Sequence, residues 1–297
     1  MIPVAWGFGI WDLGFNIRPV RLFVLFAIVS AGCAARVDPP RAIVLEQIQA
    51  RPEPRAEFVN DYEGAMASIA AIHEKDLGLP KLQGTVHLLA DREAMYAVLA
   101  ESGADSATAK GAADTMLAIG THRAVYVNQA SFARLNWNAR LMLLSHEAAH
   151  VAQYELSAGK RSTSDQWLRE GFADWVQAYV TEKMQIGTMN RDSIRSRNAR
   201  FISQPGMREQ LPPLAKLANF AEWVAIASSP ATKLLYPYAF VATDFLIARH
   251  SMDEAVEYFR LFATSDDRLA NFRQAFGEEW SAFDAALRQH ISQLKSS

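Results

Sequence analysis

Apolar residues recur along this chain at helical spacing over most of its length, and at strand spacing in two short stretches. Between 56 and 76, Phe58, Tyr62, Met66, Ile69 and Ile72 fall on one side, which predicts a helix that Leu77-Gly78-Leu79-Pro80 ends. Residues 82–89 read as a strand with Val86 and Leu88 on one face, and Asp91 opens a helix to about Ser102. Residues 103–115 are small and polar and read as a loop, after which 124–128 read as a second strand. Residues 141–152 form a long apolar run with Leu141, Leu144, Ala148 and Val151 on one helical stripe. Asn138 suits its N-cap, Trp137 and Met142 its hydrophobic staple, and Gly159 its stop. A further helix follows, with Thr163 and Gln166 at capping-box spacing and Trp167, Phe172, Trp175 and Val176 as its apolar side. The remainder reads as helices at 177–187, 191–202, 214–227, 237–250, 252–264, 267–276 and 279–294. The expected fold is α+β: a small N-terminal mixed sheet with helices, a central helix pair and a mostly helical C-terminal part.

The N-terminus follows other rules. Arg18 and Arg21 precede the apolar run 22–29, which is too short to span a bilayer. Ser30-Ala31-Gly32-Cys33-Ala34-Ala35 then resembles the lipobox of bacterial lipoproteins, in which the cysteine is lipidated, although Ser30 stands where leucine is usual. Residues 1–35 are therefore read as a targeting segment, with a start at Val20 giving a cleaner signal. The expected location is the bacterial envelope, periplasmic or anchored in the outer membrane through Cys33. Residues 36–55 carry Pro39, Pro40, Pro52 and Pro54 and read as a linker with a short helix at 43–49. Residues 56–297 read as one domain: a sheet-containing part to about 135, the helix pair at about 138–182, and the helical part beyond.

Composition narrows the class. At 297 residues and 50% hydrophobic, the chain can bury a sizeable core. Its net charge of −2 supplies no basic field for nucleic acid, and Arg191, Arg195, Arg197 and Arg200 read as a solvated helix face. A single cysteine forbids an intramolecular disulfide.

Chemistry concentrates in the apolar run. His146-Glu147-Ala148-Ala149-His150 is an H-E-x-x-H motif. On a helix the two histidines stand one turn apart on one face, the geometry for two imidazoles to hold one zinc ion. Glu147 sits beside them, within reach of a proton on a water at the metal. Burying these groups in an apolar run is costly unless they are used, and a catalytic zinc also needs a third protein ligand. His73, His87, His122, His250 and His290 lack ligand-spaced partners and read as surface or core residues, with His122 nearest the strand that precedes the motif.

Trp167-Leu168-Arg169-Glu170-Gly171-Phe172-Ala173 follows the motif after a short gap. H-E-x-x-H followed by W-L-x-E-G-x-A resembles the gluzincin metallopeptidases, the clan that includes thermolysin. The resemblance makes Glu170 the third zinc ligand and Asp174 the carboxylate that holds a ligating histidine by its far ring N–H. It makes the strand at 124–128 the border of the cleft, able to pair with an extended substrate. Tyr236-Pro237-Tyr238 through Phe245-Leu246, and less closely Phe272–Phe276 with Gly277, resemble bacterial peptidase MA-like proteins, so the likeness covers about 80–295.

It implies one zinc per chain, a peptide or protein substrate, and amide hydrolysis with Glu147 as the base. No G-x-M-E-N motif is present, which favours an endopeptidase. A tyrosine or histidine opposite the zinc is also implied. Pro237 suits the first position of a helix and pushes the residue before it out of helical geometry, so Tyr236 is expected at the helix mouth. Tyr238 falls on a stripe with Val241, Phe245 and Ala248 and is expected in the core. The rival reading is a non-catalytic envelope protein that keeps a zinc-stabilised helix pair for binding a partner.

Overall fold

The computed structural model describes residues 40–48, 54–227, 229 and 231–295. The expected targeting segment with Cys33, and parts of the expected linker, lie outside them. The fold is α+β. The elements are β1 (Arg41–Val44), α1 (Tyr62–Leu77), β2 (Thr85–Leu89), α2 (Arg92–Glu101), α3 (Ser106–Thr115), β3 (Ala118–Thr121) and β4 (Ala124–Asn128). Then come α4 (Gln129–Phe132), α5 (Trp137–Leu156), α6 (Gln166–Lys183), α7 (Arg191–Ser203) and α8 (Phe220–Ala227). The chain closes with α9 (Thr232–Arg249), α10 (Met252–Leu261), α11 (Arg268–Phe276) and α12 (Trp280–Gln293). No described helix is long and apolar enough to cross a membrane.

The strands form one mixed sheet in the order β1-β2-β4-β3, in which only β2 and β4 run parallel. A parallel pair needs a crossover, and α2 and α3 supply it. Val86, Leu88, Val125 and Val127 are buried on the face that joins the main core. The other face, with Ile119 and Tyr126, covers a small cluster of Met95, Leu99, Ala109 and Ala113 from α2 and α3. Alternation at period two thus sorts residues between two cores.

Several expectations are corrected. Residues 43–48, the described part of the expected helix at 43–49, do not form an α-helix. Arg41–Val44 is a strand and Leu45–Gln47 a 3-10 turn, because Ile43 and Leu45 bury on alternate positions against the sheet. The expected loop at 103–115 contains α3, whose alanines need little side-chain ordering to become helical. β4 is not free to take a substrate strand. β2 and β3 occupy both its edges, and β3 is the edge strand.

Two helix starts also move. Asn136, not Asn138, caps α5 and accepts from Ala139 N–H at 2.9 Å. Thr163 lies in a 3-10 turn, and Asp165 precedes α6 without a capping bond from its side chain. The buried Asp165 carboxylate instead accepts from Tyr258 O–H at 2.6 Å and from Arg268 at 2.8 Å, tying α6 to α10 and α11.

α6 and α9 cross closely at Gly171, where a Cβ would overlap the Ala239 carbonyl and the Thr243 hydroxyl. A residue without a side chain is therefore what lets α9 approach the helix that carries Glu170.

Candidate metal centre

α5 presents His146, Glu147 and His150, all buried, and α6 brings Glu170 and Asp174 to meet them. His146 Nε2 and His150 Nε2 lie 3.6 and 3.5 Å from Glu170 Oε2. One ligand atom from each of His146, His150 and Glu170 can be chosen so that all lie within 4.8 Å of one another. Among the described residues no other group of three His, Cys, Asp or Glu side chains meets that condition.

Asp174 Oδ1 is 2.9 Å from His146 Nδ1, which leaves Nε2 facing Glu170. His150 has a partner that the sequence reading missed. Gln153 Oε1 lies 3.1 Å from its Nδ1, and Gln153 Nε2 donates to the Arg169 carbonyl at 2.9 Å. Arg161 was missed as well. Its Nε donates to Gln153 Oε1 at 2.8 Å, its Nη2 reaches Glu170 Oε1 at 3.4 Å, and the same Nη2 lies 2.8 Å from His150 Nδ1. The two contacts at Nδ1 select opposite tautomers, since Gln153 Oε1 needs an N–H and an arginine needs a bare nitrogen. Only the Gln153 contact is compatible with a metal on Nε2. The one sequence signal for Gln153 was its place one turn after His150 on a buried helix.

Glu147 is held by the edge strand. Its Oε2 accepts the Gly120 N–H at 2.6 Å, and its buried Oε1 accepts no hydrogen bond among the described residues. Gly120 is required here, because a Cβ would overlap the Glu147 carbonyl and reach His150 Cβ at 3.0 Å.

Electrostatics tests whether a cation fits. Burial opposes a proton on His146, but the Asp174 and Glu170 carboxylates outweigh it and raise its pKa to about 10. Burial, with Arg161 nearby, lowers His150 to about 4. Burial pushes Glu147 up to about 7 and raises Asp174. Burial works against ionised Glu170 too, yet His150 and His146 hold it well below the usual carboxylate range. Three buried carboxyl groups thus retain a proton on His146 near neutrality, and a dication would satisfy the same negative potential. Two imidazoles and a carboxylate, buried and oriented from behind, suit zinc.

Tyr236 does not stand at a helix mouth. α9 begins at Thr232, and Pro237 lies inside it. The proline still falls early in the helix, where it sacrifices one hydrogen bond to the Lys233 carbonyl, and packing overrides its bias on the preceding residue. Tyr236 packs edge-on against Trp223 at 5.5 Å and lines a cleft together with Asp174. Burial raises its pKa well above the usual range, and the charges of Glu170, Asp174 and Glu147 add to this. Tyr238 is buried elsewhere, within reach of the charges of Asp284 and Arg288. His122 is half exposed beside Glu155 at 3.5 Å and belongs to no metal-capable group.

Comparison with known proteins finds no matching family model, no matching curated protein and no matching solved structure.

Proposed function

We propose that this chain is a zinc-dependent peptidase that hydrolyses peptide bonds of peptides or proteins in the bacterial cell envelope. The observation that carries the reading is the buried His146–His150–Glu170 group with Glu147 beside it, one oxygen tied to Gly120 and the other without a hydrogen bond among the described residues. His146, His150 and Glu170 would hold the ion, which when bound supplies Lewis-acid activation of water and of the scissile carbonyl. Asp174 and Gln153 keep both ring Nδ1 protons and so present both Nε2 atoms to the metal. Glu147 Oε1 takes the proton of the attacking water and returns it to the leaving amine. Tyr236 O–H donates to the developing oxyanion. β3 is the strand able to pair with an extended substrate, because no described strand pairs with its outer edge and its Gly120 N–H sets that edge beside Glu147.

The envelope location rests on residues 18–35 of the sequence, with Cys33 as the residue for a lipid anchor. The test is zinc-dependent cleavage of an unstructured protein such as casein. We expect cleavage by the native chain, loss with a chelator, recovery with zinc, and none by Glu147→Gln with its zinc retained. A Glu147→Gln variant that still cleaves would sink the proposed chemistry.

A further inference from the structure

The cleft that Asp174 and Tyr236 line has a volume of about 660 Å³ and is walled by α7 and α9; His146, Glu147, His150 and Glu170 do not line it, so it adjoins the metal centre through Asp174 and Tyr236. Its charges are one-sided. Arg197 and Arg200 of α7 and Lys233 of α9 line it, and Asp174 is its one acidic residue. Asp174 is already engaged by His146 at 2.9 Å. The other arginines of α7 are matched inside the protein, Arg191 by Glu182 at 3.4 Å and Arg195 by Asp244 at 2.6 Å. Arg197, Arg200 and Lys233 form no such ion pair among the described residues, and Arg197 acts on Asp174 only at longer range. Arg197 and Arg200 also stand three apart on one helix, where like charges repel. The cleft therefore holds positive charge that nothing described within the chain neutralises. Between these cations lie apolar surfaces from Ile194, Phe201 and Phe240.

We propose that this cleft selects acidic polypeptide: a substrate segment whose Asp or Glu carboxylate is matched by Arg197, Arg200 and Lys233 while an adjacent apolar side chain packs on Phe201 and Phe240. The proposal rests on the peptidase reading and names its substrate class. A carboxylate meeting a guanidinium in a partly enclosed cleft gains more than it would on an open surface, and the same field repels basic segments. Nucleic acid fits less well, since three cations on a chain of net charge −2 cannot track a phosphate backbone.

The test uses the full chain carrying Glu147→Gln, so that peptides are bound without being cut. Short fluorescent peptides, identical except for glutamate, glutamine or lysine placed among alanine and leucine, are titrated at low salt and followed by anisotropy. The glutamate peptide should bind roughly tenfold tighter than the glutamine peptide, with the lysine peptide weakest. Adding Arg200→Glu and Lys233→Glu, two exposed positions without ion-pair partners, should reverse that order while the thermal unfolding curve stays unchanged. Equal affinity for the glutamate and glutamine peptides, or an order that survives the charge reversal, overturns the proposal. So does a single-stranded oligonucleotide that displaces the glutamate peptide at lower concentration than unlabelled peptide does. Selective binding without cleavage by the native chain would keep this proposal and remove the peptidase reading. Cleavage of both peptides at equal kcat/KM would do the reverse.

Discussion

Gly120 N–H donates to Glu147 Oε2 at 2.6 Å, so an edge strand and the acid of the H-E-x-x-H helix hold each other in place. The bond fixes which carboxylate oxygen is committed and which can take a proton. It also depends on the missing side chain, because any Cβ at position 120 overlaps the Glu147 carbonyl. Gly120→Ala should therefore cost about 1–3 kcal/mol of stability, as overpacking does. It should also reduce cleavage more than zinc content. Thermal unfolding, elemental analysis and a rate on the same sample separate these effects. A variant that cuts at the native rate would show that β3 does not position Glu147.

Metal binding should divide the residues into two groups. His146→Ala, His150→Ala and Glu170→Ala each remove one of three donors and should abolish tight zinc binding. Asp174→Asn and Gln153→Ala keep the donors but loosen a ring, and should weaken zinc by about 10–100-fold. Elemental analysis and competition with a chelator read both effects. Full zinc in Glu170→Ala would remove that residue from the site. Unchanged affinity in Gln153→Ala would mean that Gln153 does not orient His150 for the metal.

Helix periodicity made two pairs legible, His146 with His150 and Glu170 with Asp174, each on one face of a helix with an apolar stripe, but that the two faces meet came from the resemblance of the W-L-x-E-G-x-A stretch and not from spacing. Gly120 was not legible. β3 has four residues, one of them glycine, which is too short for alternation to stand out. Gln153 and Arg161 belong to no motif and act only through where the chain folds them. The strand Arg41–Val44 was hidden by prolines on both sides, which read as linker while the two buried residues between them were few. The start of α9 was misplaced because Pro237 looked like a first helical residue, and tertiary packing against α6 decided otherwise.

His73 makes a prediction about acid stability that is independent of the metal. It is fully buried on α1, and neither ring nitrogen has a hydrogen-bond partner among the described residues. Burial lowers its pKa from 6.5 to about 3. The unfolded chain takes up a proton below about pH 6.5 and the folded chain does not, so stability falls as pH drops through that window. The loss is about 1.4 kcal/mol per pH unit, or about 2 kcal/mol between pH 7.5 and 5. His73→Leu keeps the site apolar and removes the titrating group. Denaturant unfolding at the two pH values should show a loss smaller by that amount in the variant. Equal losses would mean that His73 is protonated in the fold.

Tyr236 and Tyr238 give the sharpest test of the proposed active-site geometry, because they share a helix and differ in direction. Tyr236 lines the cleft beside Asp174 and feels the charges of Glu170 and Glu147. Tyr238 is buried, and the charges that reach it are those of Asp284 and Arg288. A hydroxyl that donates to a developing oxyanion contributes mainly in the transition state, so its removal lowers kcat and leaves KM little changed. Tyr236→Phe should reduce kcat by roughly 10²–10³, the usual loss for one oxyanion donor, with zinc content intact. Tyr238→Phe should leave kcat near the native value. It should cost about 1 kcal/mol of stability only if the hydroxyl has a buried partner. Equal, small effects from both variants would place the donor elsewhere, and His122, in the turn that follows β3, would be tested next. A large loss confined to Tyr238→Phe would mean that α9 is rotated about its axis relative to α6, and the close crossing at Gly171 would have to be wrong with it.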